Sequence, residues 1–160
     1  MESILFNAIG VIHSPFSDPK SMPIQPVSEN SAAGTVDLLP ELAAGLRDLE
    51  GFSHIVLVYH FHRSRGFALS VTPYLDTVPR GLFATRAPNR PNPIGLSLVR
   101  LVRIEASRLH VANLDVLDGT PLLDIKPHVP EFDCAPGARI GWLKKAGARM
   151  RTRVADDRFR

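Results

Sequence analysis

Cysteine is almost missing from this 160-residue chain. Cys134 stands alone, so no internal disulfide can form and no cysteine cage can hold zinc, which fits a reducing compartment. Apolar runs are short too. None approaches the roughly 18 to 20 residues that a membrane helix needs, and Met1-Glu2-Ser3 lacks the basic flank of a secretory leader. A cytoplasmic protein without a membrane partner is expected. No G-x-G, G-x-x-x-x-G-K-[ST] or G-x-S-x-G occurs, which excludes a dinucleotide fingerprint, a Rossmann methyltransferase loop, a phosphate loop and a nucleophile elbow. Acidic residues are absent between Thr77 and Ile104, where Arg80, Arg86, Arg90, Arg100 and Arg103 all fall. Such a run suits a polyanion, unless acidic residues from elsewhere in the fold pair with it.

What is present describes one ordinary domain. Hydrophobic residues make up 44% of the chain, too many for a disordered protein, and 14 prolines predict few helices and many loops. The net charge of +3 is uneven: residues 1–138 carry 11 basic and 14 acidic side chains, residues 139–160 carry 8 and 2. The chain therefore divides into a body, 1–138, and a basic C-terminal tail, 139–160.

Ile4 to Ile12 reads as a strand closed by Ser14-Pro15, and Ser17 to Ser31 as a long loop of the kind that carries function. Gly34 to Leu39 alternates as a strand. Pro40 suits a helix start, and Leu42, Leu46 and Leu49 take helical spacing over Glu41 to Leu49. His54 to Phe61 is a continuous apolar run, expected to be a strand buried on both faces. Phe67 to Pro73, Gly81 to Thr85, Leu98 to Glu105, Arg108 to Leu114 and Leu122 to Lys126 follow as short strands, with Glu105 to Arg108 as a hairpin turn. Arg139 to Val154 reads as a helix running into a mobile end. The fold class expected is mainly β, a small antiparallel barrel or sandwich with one short helix after the second strand and a C-terminal helix.

Three segments carry chemistry. In Phe83 to Ser97, Pro88, Pro91 and Pro93 stiffen a loop that presents Arg86, Asn89, Arg90 and Asn92, planar donors suited to carboxylate, phosphate or base edges; a structural corner with arginines capping carbonyls is the alternative. In Asp115 to Pro127, Asp118-Gly119-Thr120-Pro121 is a turn in which Asp caps, Gly takes the left-handed position and Pro fixes the exit. Asp115, Asp118, Asp124 and Lys126 place charges in apolar surroundings, where they need partners or a function. His60 and His62, two apart on a strand, could begin a zinc site, but no H-E-x-x-H accompanies them and no metal is expected.

The blocks F-A-T-R-A-P-N-R-P-N-P-I-G-L-S and L-D-G-T-P-L-L-D-I-K-P-H-V-P, preceded by G-V-I-H-S-P, M-P-I-Q-P and L-E-G-F-S-H, resemble the TsaA-like, or TrmO-like, methyltransferases over about Ile9 to Asp133. The resemblance implies an antiparallel β-barrel homodimer that uses S-adenosyl-L-methionine to methylate N6 of N6-threonylcarbamoyladenosine in the tRNA anticodon loop. By motif, the cofactor contacts are Pro23, Ile24 and Gln25 in the first loop, His62 and Arg63 at a strand end, Arg86 and Leu96, and the corner Asp118, Gly119, Thr120 and Pro121. Family members often carry arginine where this chain has Ile24, which puts a charge contact there in doubt. Longer relatives add a C-terminal domain that this sequence lacks. Arg90, Asn92 and Asp118 are the residues expected to face the substrate or the reacting groups; Phe83, Tyr74 and Phe61 are core residues or, alternatively, stacking surfaces for a splayed base, and Lys144, Lys145, Arg149, Arg151 and Arg153 are phosphate contacts or a solvated end. Methyl transfer to another small or nucleotide substrate, and a non-enzymatic module binding cofactor or RNA, are the alternatives.

Overall fold

A computed structural model describes residues 2–20, 22–24, 32–147 and 149–159. Among them eight strands form: β1 (Gly10–His13), β2 (Ala32–Leu38), β3 (His54–His60), β4 (Ser70–Val71), β5 (Arg80–Gly81), β6 (Ile94–Glu105), β7 (Arg108–Leu114) and β8 (Thr120–Pro127). Six of them close into a barrel in the order β1-β2-β7-β6-β3-β8, every neighbouring pair antiparallel, while β4 and β5 make a separate ribbon. Closure removes the free sheet edges that would otherwise invite pairing with another chain. No helix among the described residues is long and apolar enough to cross a membrane.

Alternation along the strands builds the core. Ile12, Val36, Ile55, Leu57, Val99, Leu109, Val111, Leu114 and Leu122 point inward and are fully enclosed. On β7 an extra residue bulges between the Val111 and Leu114 pairs, and Asn113 takes φ 68° there. The bulge shifts the inward positions from odd to even, so that Leu114 rather than Asn113 reaches the core. β6 and β7 are joined by the two residues Ala106-Ser107, with Ala106 at φ 54°, the positive value a two-residue hairpin requires.

Several expectations give way to the structure. The first strand is Gly10–His13, not Ile4 to Ile12; Ile4, Leu5 and Phe6 lie outside the barrel and are exposed. β3 is enclosed on one face only, its outward Val56 and Val58 being half-buried. Gly81 to Thr85 is the end of a two-residue strand and then a 3-10 turn, Leu82–Ala84, and Phe67 to Pro73 shrinks to Ser70–Val71. The helix after β2 does begin at Pro40 but is 3-10, Pro40–Leu46, with a further turn at Leu49–Gly51. Leu46 is its one buried side chain and Asp48 turns to φ 69°, so neither length nor packing supports an α-helix there. After α1 (Pro130–Asp133), the helix expected over Arg139 to Val154 is likewise in pieces, a 3-10 turn Gly141–Lys145 and α2 (Arg149–Thr152), with Gly141 and Gly147 at positive φ of 56° and 53° breaking the run.

Strand direction assigns every connection to one of two rims. The ends of β1, β3 and β7 and the starts of β2, β6 and β8 share one rim, which therefore carries the loops 14–31, 61–93 and 115–119. The other rim carries 39–53, the tight hairpin, and the exit of β8. Gly95, inward-facing near the first rim, is where the Tyr59 ring lies, and a Cβ on Gly95 would collide with that ring. Gly95→Ala therefore overpacks the barrel end and costs about 1–3 kcal/mol. A denaturant or thermal melt checks this, each kcal/mol lowering the midpoint by roughly 2–4 °C in a chain of this size.

Candidate functional site

Every candidate residue on the described barrel and its loops, the outward-facing Leu96 included, belongs to the first rim, because the three loops above supply them. The proline-rich loop is fastened to the end of β3: the Phe61 N–H donates to the Pro93 carbonyl at 2.7 Å, and the Ser64 hydroxyl reaches the Pro88 carbonyl at 3.0 Å and Asn89 Oδ1 at 2.8 Å. The Asp118-Gly119 corner is fastened to the first loop by the N–H bond from Asp118 to the Phe16 carbonyl (2.8 Å) and to β1 by that from Gly119 to the Ile12 carbonyl (3.0 Å). Gly119 takes the left-handed φ of 75°. With those two N–H groups committed, the corner presents its side chains and carbonyls rather than an N–H cradle.

The Asp118 carboxylate is exposed and accepts from the Ser14 N–H (3.2 Å) and pairs with His13 Nδ1 (3.1 Å). The Ser14 bond, with His13 second, holds its pKa below the ordinary carboxylate range. His62 touches the same corner. Because the Thr120 hydroxyl donates to the Leu117 carbonyl at 2.8 Å, the 3.3 Å contact between Thr120 Oγ1 and His62 Nδ1 is made by the imidazole N–H. Burial, reinforced by Arg63 and His60, lowers the His62 pKa, so the neutral ring keeps Nε2 as an acceptor. Arg63 donates to the Ser17 carbonyl at 3.0 Å and ties the first loop to the rim.

Arg86 is exposed on the proline-rich loop, and its charge reaches two groups inside the barrel, Asp115 and Tyr59. Arg90 behaves differently. Its Nη1 donates to the Thr85 carbonyl at 3.0 Å and the Ala87 carbonyl at 3.4 Å, and its guanidinium lies 5.7 Å from the centre of the Phe83 ring. Arg90 thus stiffens the loop and backs Phe83, whose side chain is 73% exposed. Asn92 is exposed. Tyr74 packs edge-on against Phe159 and Phe61 against Tyr59, so of the three aromatics only Phe83 offers an open face. Leu96 points out of the barrel, away from the inward Gly95 and Ser97, and joins Ile94, Leu98 and Val102 in an exposed apolar stripe along β6.

Pro23 is enclosed, Ile24 half-buried, and Gln25 lies outside the described residues. What encloses Pro23 is the C-terminal segment, which leaves the far rim after β8 and comes back. Val154 bridges to Pro23, and the Ala155 N–H donates to the Met22 carbonyl at 2.8 Å. Arg158 donates to the Pro73 carbonyl at 2.7 Å, Lys20 pairs with Asp157 at 3.7 Å, and Trp142 Nε1 donates to the Ala84 carbonyl at 2.8 Å. The expected mobile tail is therefore docked, because Val154, Ala155 and Phe159 supply an apolar side that composition alone concealed. Of the five arginines in the run without acidic residues, Arg80 pairs with Asp76 at 2.6 Å and Arg103 with Glu105 at 2.8 Å, acidic residues lying just beyond its two ends.

Tyr59 and Ser97, to which sequence reasoning gave no role, complete the rim together with Asp115, whose charge it did single out. Asp115 accepts from Ser97 Oγ at 2.5 Å, and Ser97 Oγ is 3.0 Å from the Tyr59 hydroxyl. Asp115 keeps a little accessible surface at residue level although protein surrounds its carboxyl, and burial raises its pKa to about 6 against the opposing pull of Ser97 and Arg86. The signal in the sequence was the small Gly95 and Ser97 in the inward row of β6, which is otherwise apolar at Val99 and Leu101. Among the described residues no three His, Cys, Asp or Glu side chains come together as a metal-ligand set.

Comparison with known proteins places this geometry. Residues 11–134 match the family described as tRNA-methyltransferase O N-terminal domain. A Pyrococcus abyssi protein described as a probable S-adenosyl-L-methionine-binding protein is 52% identical over 98% of this chain and 85% of its own. The tRNA (adenine(37)-N6)-methyltransferase of Escherichia coli is 37% identical over 92% of this chain and 67% of its own. The crystal structure of TrmO from Pseudomonas aeruginosa superposes with TM-score 0.74 at 40% identity, covering 88% of this chain; the chain spans 63% of that longer one. The closed antiparallel barrel, the three loops at one rim and these likenesses together make the chain a member of the tRNA-methyltransferase O family.

Proposed function

We propose that the protein is an S-adenosyl-L-methionine-dependent methyltransferase acting on N6 of N6-threonylcarbamoyladenosine beside the tRNA anticodon, as a cytoplasmic homodimer. The observation that carries this reading is the gathering of Arg86, His62, Asp118 and Thr120 at one barrel rim in a chain of this family. The donor set fits the cofactor: an exposed guanidinium for a carboxylate, an exposed carboxylate for hydroxyl or amino groups, and apolar side chains for the remainder. When bound, the cofactor supplies an electrophilic methyl group, whose transfer to an exocyclic nitrogen depends on in-line approach at about 3–3.5 Å more than on an elaborate acid or base.

The chain's own residues then have positional tasks. Arg86 binds the carboxylate of the methionine end, Asp118 and Thr120 orient the adenosine end, and the first loop supplies Pro23 and Ile24 as further contacts. The open face of Phe83, backed by Arg90, receives the splayed base, and Asn92 faces its polar edge. The threonylcarbamoyl carboxylate gives the rim a second reason to be basic. The outward stripe Ile94, Leu96, Leu98 and Val102, flanked by the half-buried Val56 and Val58 of β3, supports self-association, since contiguous apolar surface on a soluble barrel marks an interface. Leu96 then lies where cofactor and second subunit meet.

Four measurements test this. Incubated with labelled cofactor and tRNA carrying the threonylcarbamoyl group, the protein forms the N6-methylated nucleoside, detected by mass spectrometry, and leaves tRNA without that group unchanged; cofactor binding without product overturns the substrate assignment. Arg86→Ala loses cofactor affinity by at least tenfold in calorimetry while its melting midpoint stays within a few degrees of wild type. Lys144→Gln/Lys145→Gln lowers the salt slope of tRNA binding by about 0.7 for each phosphate no longer neutralised, whereas an unchanged slope makes these exposed lysines bystanders. Leu98→Asp shifts the dimer to monomer in sedimentation; a monomeric wild type removes the homodimer.

A further inference from the structure

We infer that His13 is a positioning residue for Asp118: its imidazole fixes one carboxylate oxygen of Asp118 and so keeps the other turned toward a hydroxyl or amino group of the cofactor, without itself touching the cofactor. This rests on the reading of Asp118 as a contact for the adenosine end. His13 is the last residue of β1, and its Nδ1 lies 3.1 Å from Asp118 Oδ1. The same Oδ1 accepts from the Ser14 N–H at 3.2 Å. Because an ionised carboxylate only accepts, the proton of the imidazole contact sits on Nδ1. Two donors on one oxygen set the rotation of the carboxylate, and Oδ2 is left for a ligand on a side chain that is half exposed.

The ring is itself held from its other side. Nε2 faces Asp37 Oδ2 at 3.8 Å, too far for a hydrogen bond but close enough for attraction between charges. Asp37 takes its hydrogen bonds elsewhere: Arg108 Nε and Nη2 donate to its two oxygens at 2.6 and 2.7 Å. The one directional bond of the imidazole therefore goes to Asp118. Arg108, Asp37, His13 and Asp118 run in file across β7, β2 and β1 to the corner. The backbone beneath the ring is fixed as well, since a Cβ on Gly34 of β2 would collide with the His13 carbonyl. Beside it the Ser14 hydroxyl donates to the Val116 carbonyl at 2.6 Å, so the strand end and the segment leading to the corner move as one.

For the fold this bond matters little. Pairs between exposed side chains contribute little to stability, and the corner is already closed by the backbone bonds from Asp118 and Gly119. What His13 adds is direction. Without the imidazole only the Ser14 N–H remains on Oδ1, and the carboxylate turns about its own bond to the chain. A ligand hydroxyl then meets an acceptor that has to be ordered during binding, and affinity falls by the entropy of that ordering. Asparagine separates this role from charge and ring packing. Its amide N–H occupies the branch position that Nδ1 has in histidine, so His13→Asn keeps the donor and discards the imidazole.

Calorimetry of the full chain with S-adenosyl-L-methionine, with thermal melts alongside, decides. His13→Ala weakens binding about fivefold while the melting midpoint stays within a few degrees of wild type, and His13→Asn restores affinity to within about twofold of wild type. In an Asp118→Ala background His13→Ala costs nothing further, because no carboxylate is left to orient. His13→Ala binding as wild type does, His13→Asn binding as weakly as His13→Ala, or losses that simply add in the double variant each overturn the inference. Should Asp118→Ala not fold, the comparison of alanine with asparagine at His13 still decides. If Asp118→Ala loses affinity while His13→Ala does not, the inference alone falls; if Asp118→Ala binds as wild type does, the reading of Asp118 falls with it.

Discussion

Closure of six strands with every neighbour antiparallel is the constraint on which the rest depends. Once each strand must reverse its predecessor around the ring, connections alternate between two rims, and their lengths need not match. Here the loops 14–31 and 61–93 and the corner 115–119 fall on one side, while a two-residue hairpin and the connection 39–53 with its two 3-10 turns serve the other. Functional groups far apart in sequence are thereby delivered to one face without a nucleotide-binding sheet. The barrel's edges satisfy one another, so loop length is free to vary where chemistry needs it.

The rim is held by polar fastenings more than by apolar packing. Backbone bonds from Phe61, Asp118 and Gly119 and side-chain bonds from Ser64, Arg63 and His62 each tie together stretches of chain that meet at the rim. Individually such bonds contribute about 0.5–1.5 kcal/mol, but their geometry fixes loops that carry little core of their own. The C-terminal segment adds a strap from outside: it crosses from the far rim, bridges to Pro23 and reaches the ribbon region at Pro73. A stretch whose composition reads as a solvated basic end thus becomes part of the wall around the first loop.

Most of the barrel was legible in the sequence. Arg108 to Leu114 was recovered to the residue because inward Leu109 and Val111 alternate with polar neighbours, and the hairpin at Ala106-Ser107 followed from its turn residues. The start of β6 was hidden, since the prolines of the loop run directly into Ile94 and masked four further strand residues. Periodicity overstated the helices, because Leu42, Leu46 and Leu49 take helical spacing but only Leu46 finds a core to enter. The motif-bearing loops could be read as local strings. The Tyr59–Ser97–Asp115 chain could not, because it joins residues 38 and 18 positions apart that meet only after the barrel has closed.

The single tryptophan brings a practical consequence. Its indole hydrogen-bonds Ala84 and has the Arg80 guanidinium 5.7 Å from its ring centre, two residues upstream of the arginine loop's first charge. With no second indole in the chain to mask it, its emission reports on that one spot. The protein thus carries a native fluorophore beside its proline-rich loop, and any change in the packing of that spot can be followed without attaching a dye.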